Sequence, residues 1–460
     1  MYDFAIIGSG VSGGRIAYEL TKGGAQCVLL EAGREFHRGT YPGNEMDYTT
    51  QMFWNGGLEV TRDGRVGLLR GKCLGGTSVV NQADLDRFDE LALTDWRDRS
   101  GCEFFNLGEM NRLYEYLVTH LAMGEIAPEH YNANARVFLR GLERLGYGWH
   151  PLVRAQTDCA LAHGSDCIVC LGGCPRDAKQ SALVTTIREA RRAGMPVETE
   201  FEAQQLLVQS DRVVVRGIQH GARREIVAAR AVLAAGALGN TALLMRSPEI
   251  AAKLPALGHK FCCHPQLMSY GVFEEPVDSH KGALQSVQTH DERLRRAGIK
   301  LENVFAPPIA TAMLMPGIGR RHARHMRRYR HLASIEVAIR DDPIGRIRLD
   351  RRQRIVVDKP LSRDDRGRLD SGRQLIKELL VAGGAREVIE CRQAYGLHLM
   401  GGCAIGIDAT TSVVSPDFQM HGHPRLWAAD SSIFPSAPGI NPSFTIMALS
   451  YTASQSMLAR

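Results

Sequence analysis

The chain has 460 residues, 44% hydrophobic and 23% charged, with a formal net charge of +6. That length supports two or three domain-sized cores, and the composition is that of a globular protein rather than a disordered one. A surplus of six positive charges over such a chain does not define a nucleic-acid binder on its own.

Met1-Tyr2-Asp3 runs directly into Phe4-Ala5-Ile6-Ile7, without the basic stretch and longer apolar core of a secretory signal. The cytoplasm is therefore the expected compartment, with export alongside a signal-bearing partner left open. No uncharged apolar run reaches the length of a membrane span. Eleven cysteines in so long a chain point to thiols or metal ligation rather than to a disulfide framework.

Phe4–Ile7 predicts a buried strand and Gly8-Ser9-Gly10-Val11-Ser12-Gly13 a tight turn. Ile16, Ala17 and Leu20 then keep a helical period, and Cys27–Leu30 predicts a second strand ending on Glu31. This is a dinucleotide-binding βαβ fingerprint in its full context. Gly8 serves the turn, and Gly10 lets the backbone approach a pyrophosphate at the helix N-terminus. Val11 and Ser12 open that helix, Gly13 lets helix and strand pack closely, and Glu31 can accept from an adenosine ribose. A second Gly-rich turn, Arg70 to Asn81, carries Gly75, Gly76, Thr77 and Ser78. It is placed to wrap the far side of a pyrophosphate and to bring Asn81 near a flavin ring.

Residues 96–158 show helical patterns, at Met110–Tyr114 and Val137–Arg140. Cys159 precedes Cys167, Cys170 and Cys174, the last three spaced C-x2-C-x3-C and followed by Pro175. The final spacing is that of bacterial ferredoxins, so these four are candidate ligands of an iron–sulfur cluster (3Fe–4S or 4Fe–4S). Zinc, a redox pair or purely structural thiols are the alternatives. Ala231–Ala237 predicts a strand ending in small residues, Ala235 among them, before a helix with Leu243 and Leu244. Residues 261–384 alternate as strands do, at Ser334–Ile339 and Arg346–Leu349. His264 and His290 fall in this region as possible pocket residues. Arg320 to His331 holds six arginines and three histidines. A solvated helical face is the ordinary outcome of such a run; docking to an acidic acceptor, an anionic substrate or a membrane surface are the functional alternatives.

Near the C-terminus, His398-Leu399-Met400-Gly401-Gly402-Cys403 and Gly439-Ile440-Asn441-Pro442 each place a polar side chain in a Gly-containing turn before an apolar segment. Leu426–Asp430 lies between them, with Asp430 at a strand end where it could bind a ribityl hydroxyl. A histidine has the intrinsic pKa for moving a hydroxyl proton, and a neutral amide can orient the oxygen without titrating. A buried core histidine and an Asn-Pro turn are the structural alternatives.

Taken together, GSGVSGG with Glu31, GKCLGGTSVVNQ, AVLAAGALGNTALLM, HLMGGC and WAADSSIFPSAPGINPSFTIMAL resemble the glucose–methanol–choline (GMC) flavoprotein oxidoreductases across nearly the whole chain. The versions around His398 and Asn441 look most like the cholesterol-oxidase and sugar-dehydrogenase branches. The resemblance implies an α/β fold (α+β overall): a Rossmann-like FAD-binding domain from 1–95, 180–260 and 385–460, with a substrate domain on a mostly antiparallel sheet from 96–179 and 261–384. It implies FAD, oxidation of an alcohol CH–OH to a carbonyl by hydride transfer to flavin N5, His398 as general base, and Asn441 orienting the hydroxyl. Pro442 follows Asn441 in the same flavin-facing turn. Some members attach FAD through a histidine where Val80 stands, so a noncovalent flavin is expected. Cys170 and Cys174 match a cluster-binding Cys-x3-Cys-Pro pair of some members. A cluster there would route electrons to a partner protein or other non-oxygen acceptor. Without it, an oxidase yielding hydrogen peroxide, or a non-catalytic flavin electron-transfer subunit, is the alternative.

Overall fold

The computed structural model describes residues 1–157, 159 and 167–460, with the side chains of 167–169 outside that description. Its fold is built on two large sheets. In the first, Tyr2–Ile7 lies parallel between Cys27–Leu30 and Ala222–Leu233, and His423–Ala428 adds parallel to the far side of Ala222–Leu233. Phe4, Ala5, Ile6, Val28, Leu29, Leu30, Val232 and Leu233 are all buried. Continuous apolar runs of this kind form parallel strands covered on both faces, and each of the larger side chains among them contributes about 1.5–3 kcal/mol on burial. The helix Val11–Lys22 packs against Thr186–Arg192 and the C-terminal helix Ser443–Leu458. An antiparallel hairpin, Phe201–Val208 with Val213–Gln219, extends the sheet from Ala222–Leu233.

The second sheet is mostly antiparallel. Gln266–Val272, Leu332–Ile339 and Ile299–Asn303 are its centre. The helix Arg363–Ala382 starts at a capping box formed by Ser362 and Asp365. It crosses Leu332–Ile339 so closely that a Cβ on Gly372 would stand 2.5 Å from Val337 Cγ2.

The helical patterns of 96–158 are the helices Leu107–Val118 and Ala133–Leu145, and the alternating segments are the strands Leu332–Ile339 and Arg346–Leu349. The boundaries read from sequence divide differently in space. Val66–Leu68, Glu387–Glu390 and Ala394–Gly396, from segments assigned to the nucleotide side, pair into the second sheet. Trp96, Leu113 and Tyr114, assigned to the substrate side, belong to the core around the first sheet. There the Tyr114 hydroxyl meets Thr445 Oγ1 at 2.6 Å. The reason is that a strand edge recruits whichever segment passes it, irrespective of chain position. The basic run forms the short helix Arg320–Met326 and a turn, with Arg328 and Arg330 paired to Glu387 and Asp278. Among the described residues, no helix is long and apolar enough to cross a membrane.

Candidate active site

The Gly-rich turns pack on one another. Glu31 accepts from the Ser9 amide at 3.1 Å and the Ser9 hydroxyl at 2.5 Å through one oxygen, and from the Gly33 amide at 2.8 Å through the other. Burial raises the Glu31 carboxyl, with these donors opposing the shift. Ser9 Oγ also accepts from the Gly75 amide at 2.9 Å, so one hydroxyl joins the first turn, the acidic strand end and the second turn. Ser9 was not singled out from sequence, although it stands inside the fingerprint. Ser78 Oγ donates to Gly75 O and accepts from the Ala182 amide, while Thr77 Oγ1 accepts from the Gly71 amide. Asn81 Oδ1 accepts from the Ala83 amide, closing its own turn.

Three glycines show what these turns leave open. A Cβ on Gly8 (φ +100°) would fall 2.4 Å from Ala234 O, and one on Gly13 would fall 1.9 Å from Gly8 O. Both are demanded by close packing of strand and helix. A Cβ on Gly10 would meet nothing within 4 Å. Gly10 caps the helix without any side-chain bond, and the buried Ser12 hydroxyl beside it has no partner. Open space, uncapped amides and an orphaned hydroxyl at a helix N-terminus fit a pyrophosphate. Val11 is the first residue of that helix. At the other strand ends, Ala235 N–H donates to Asn240 Oδ1, and Asp430 accepts from the Gly236 and Ser432 amides and from Asn240 Nδ2. Asn240 is a further residue that the sequence did not single out. Its only signal was an amide side chain in a mostly apolar helix.

The two polar turns at the C-terminal side are tied to the second sheet. Cys262 and Met400 exchange backbone hydrogen bonds, placing the His398 loop beside Cys263-His264-Pro265. His264 and His398 meet through their Nδ1 atoms at 3.0 Å, with ring planes at 89°. The Gly439 amide donates to His264 Nε2 at 2.8 Å. Asn441 Nδ2 donates to Glu302 Oε1 at 3.3 Å, and Lys300 Nζ lies 2.7 Å from the same oxygen and 2.8 Å from Asp86 Oδ2. Pro442 then leads into the helix Ser443–Leu458. His150 and His290 pack edge to face at 4.9 Å between centroids.

Charge in this region is tightly held. Burial and then the Lys300 ammonium lower His398 to about 3, against the pull of Asp86, so its imidazole is neutral. Burial, followed by His398 and Lys300, carries His264 well below the usual range. Glu302 and Glu336 face each other across neighbouring strands, and Tyr395 Oη donates to Glu336 at 2.5 Å. Burial, then the Glu302 charge, raises Glu336 to about 8. Between the ordinary carboxylate range and pH 8, the unfolded chain has therefore released a proton that the folded chain retains. Stability falls as pH rises through that window. Glu336→Gln is expected to flatten this dependence and to raise the melting temperature at pH 8, as read by calorimetry across pH 5–8.

The cysteine motif falls partly within the described residues. Cys159, Cys170 and Cys174 are partly exposed, and the Cys167 side chain lies outside the described residues. Cys174 Sγ accepts from the Lys179 amide at 3.5 Å. The buried Lys179 ammonium binds the carbonyls of Val79, Asn81 and Cys170. Burial lowers Lys179 to about 8, opposed by the Cys170 and Cys174 thiols. Among the described residues, no group of three or more His, Cys, Asp or Glu side chains is arranged to hold a metal ion.

A Rossmann-like sheet with an open glycine-lined helix N-terminus, joined to a mostly antiparallel sheet with the half-buried His398 and the buried Asn441 in loops held against it, defines a two-part flavoprotein oxidoreductase. Models of the GMC oxidoreductase family match residues 49–266 and 344–450. The chain belongs to the GMC oxidoreductases and is an FAD-dependent enzyme acting on alcohols. It is 28% identical over its whole length to an uncharacterized GMC-type oxidoreductase of Mycobacterium tuberculosis, covering 76% of that protein. It is 25% identical to a long-chain-alcohol oxidase of Arabidopsis thaliana, over 99% of this chain and 67% of the relative. Among solved structures, pyridoxine 4-oxidase from Mesorbium loti shares the fold, with a TM-score of 0.78, 17% identity and 99% of each chain covered.

Proposed function

We propose that this enzyme oxidises an alcohol to a carbonyl with His398 and Asn441 engaging the hydroxyl, and that FAD is held noncovalently by the Gly8–Gly13 and Gly75–Ser78 turns. FAD, when bound, supplies the hydride acceptor. The observation that carries this reading is the shared electrostatic floor beneath the two polar turns. Lys300 bonds the carboxylate to which Asn441 donates, and it also depresses His398. A neutral imidazole and an amide over a fixed charge network can hold a hydroxyl oxygen in one orientation without titrating, which is what delivery of its C–H to an acceptor requires. Val80 is apolar and buried, so the position of a covalent flavin link offers no nucleophile.

Anaerobic mixing of the FAD-loaded protein with a panel of primary and secondary alcohols tests this. At least one is expected to bleach the oxidised flavin band with formation of one carbonyl per flavin. Failure of every alcohol class to reduce the flavin would leave only a non-catalytic carrier.

A second reading concerns where the electrons go next. Lys179 joins the Cys170–Cys174 segment to the carbonyls of Val79 and Asn81 in the second Gly-rich turn. On this reading, a thiolate-bound iron–sulfur relay held by these cysteines would pass electrons to a protein or quinone acceptor in place of oxygen. Iron and sulfide analysis of anaerobically purified protein decides it, together with peroxide yield in air. Peroxide stoichiometric with substrate in an iron-free protein selects an oxidase.

A further inference from the structure

We propose that His264 is a positioning residue that locks the tautomer of His398, so that His398 presents an N–H, not a lone pair, at Nε2. The inference rests on the placement of His398 at the substrate hydroxyl given above and specifies what its ring offers there. The argument follows the hydrogen atoms around the pair. The Gly439 amide is a donor only, so His264 Nε2, at 2.8 Å, must accept. A neutral imidazole accepts at one nitrogen and carries its proton on the other. His264 therefore bears its proton on Nδ1 and donates it to His398 Nδ1 at 3.0 Å. His398 Nδ1 is then occupied as an acceptor, and its single proton sits on Nε2. The opposite tautomer of His398 would leave His264 accepting at both nitrogens, which only an imidazolate can do. The general-base role expected for His398 needs that opposite tautomer. With Nε2 protonated, His398 would donate a hydrogen bond to the substrate oxygen, and the hydroxyl proton would pass to solvent water rather than to this ring.

The backbone around His264 shows that its position is enforced. His264 has φ +46° although it is not glycine and precedes Pro265. Its amide and that of Cys263 both donate to the Asp341 carboxylate, at 2.9 and 3.2 Å. Asp341 is in turn paired with Lys359 at 3.0 Å, where both side chains are fully buried, and Lys359 reaches Asp365 at 3.6 Å. A left-handed conformation for such a residue persists only where its surroundings fix it, and such sites cluster where geometry serves function. Gly439, which supplies the deciding amide, also has a positive φ, of +72°. The strained His264 backbone and the left-handed turn at Gly439 thus meet on one imidazole.

Selective 15N-histidine labelling of the FAD-loaded enzyme reads the tautomer directly and needs no alcohol turnover, so its result stands apart from the success or failure of the proposed reaction. His398 is expected to show a pyridine-type Nδ1 and a pyrrole-type Nε2. The reversed pattern, or averaged signals in the unmodified enzyme, overturns the proposal. His264→Leu is expected to average the two His398 nitrogens and to slow alcohol-driven flavin reduction about tenfold. His264→Asn, whose amide can donate from the place of Nδ1, should restore both the wild-type pattern and a rate within about twofold. An unchanged His398 spectrum in His264→Leu would show that His264 is not the cause.

Discussion

His398→Ala is expected to leave FAD bound and to slow alcohol-driven flavin reduction by more than about a hundredfold. The two effects separate because the groups do. The nucleotide-side turns are held by Ser9, Glu31, Gly75 and Ser78, none of which touches His398. What the substitution removes is the imidazole that touches His264 and that, on the proposed reading, engages the hydroxyl. It also leaves the His264 Nδ1–H buried without an acceptor, a loss of about 1–3 kcal/mol, so some melting temperature is lost as well. His398→Asn separates stability from chemistry, because an amide oxygen near the place of Nδ1 can accept from His264. That variant should recover the melting temperature and stay slow. Stopped-flow reduction near the normal rate in His398→Ala would remove His398 from the reaction altogether.

The comparison of these two histidines shows where a sequence can be read and where it cannot. The fingerprint was legible because its physics is local. A strand, a glycine turn and a helix start must be adjacent in the chain to cradle a phosphate, and Phe4 to Leu30 folds as that pattern requires. His398 and Asn441 could be singled out as candidates because each sits in a turn with its own Gly-containing signature. His264 was noted only as a possible pocket residue. Its partners are 134 residues away through His398 and 175 away through Gly439. Its anchor Asp341 reads in sequence as one more acidic residue. Glu302 and Glu336 are equally unremarkable until neighbouring strands set them opposite each other. Which strands complete a sheet edge is likewise decided by three-dimensional proximity, as where Val66–Leu68 pairs with Ala394–Gly396.

The glycines of the first turn give the second large effect, because they look alike in sequence and differ in space. Gly10→Val is expected to yield a folded protein that no longer retains FAD, since its Cβ enters the empty region over the helix N-terminus and clashes with no protein atom within 4 Å. The loss falls on the ligand, whose pyrophosphate needs that space and the uncapped amides beneath it. Gly13→Val is expected to fail earlier. Its Cβ would lie 1.9 Å from Gly8 O and 3.2 Å from Ala234 Cβ, so the first helix must move off the sheet and the apoprotein itself is destabilised. An overpacked contact of this kind costs typically about 1–3 kcal/mol, and more where only backbone is available to yield. The measurements are the flavin-to-protein absorbance ratio after purification and the melting temperature of each apoprotein. A Gly10→Val protein that keeps its flavin would mean that the open space above this helix is not where the pyrophosphate lies. The assignment of Gly8, Gly13 and Ser12 to the cofactor would then fall with it.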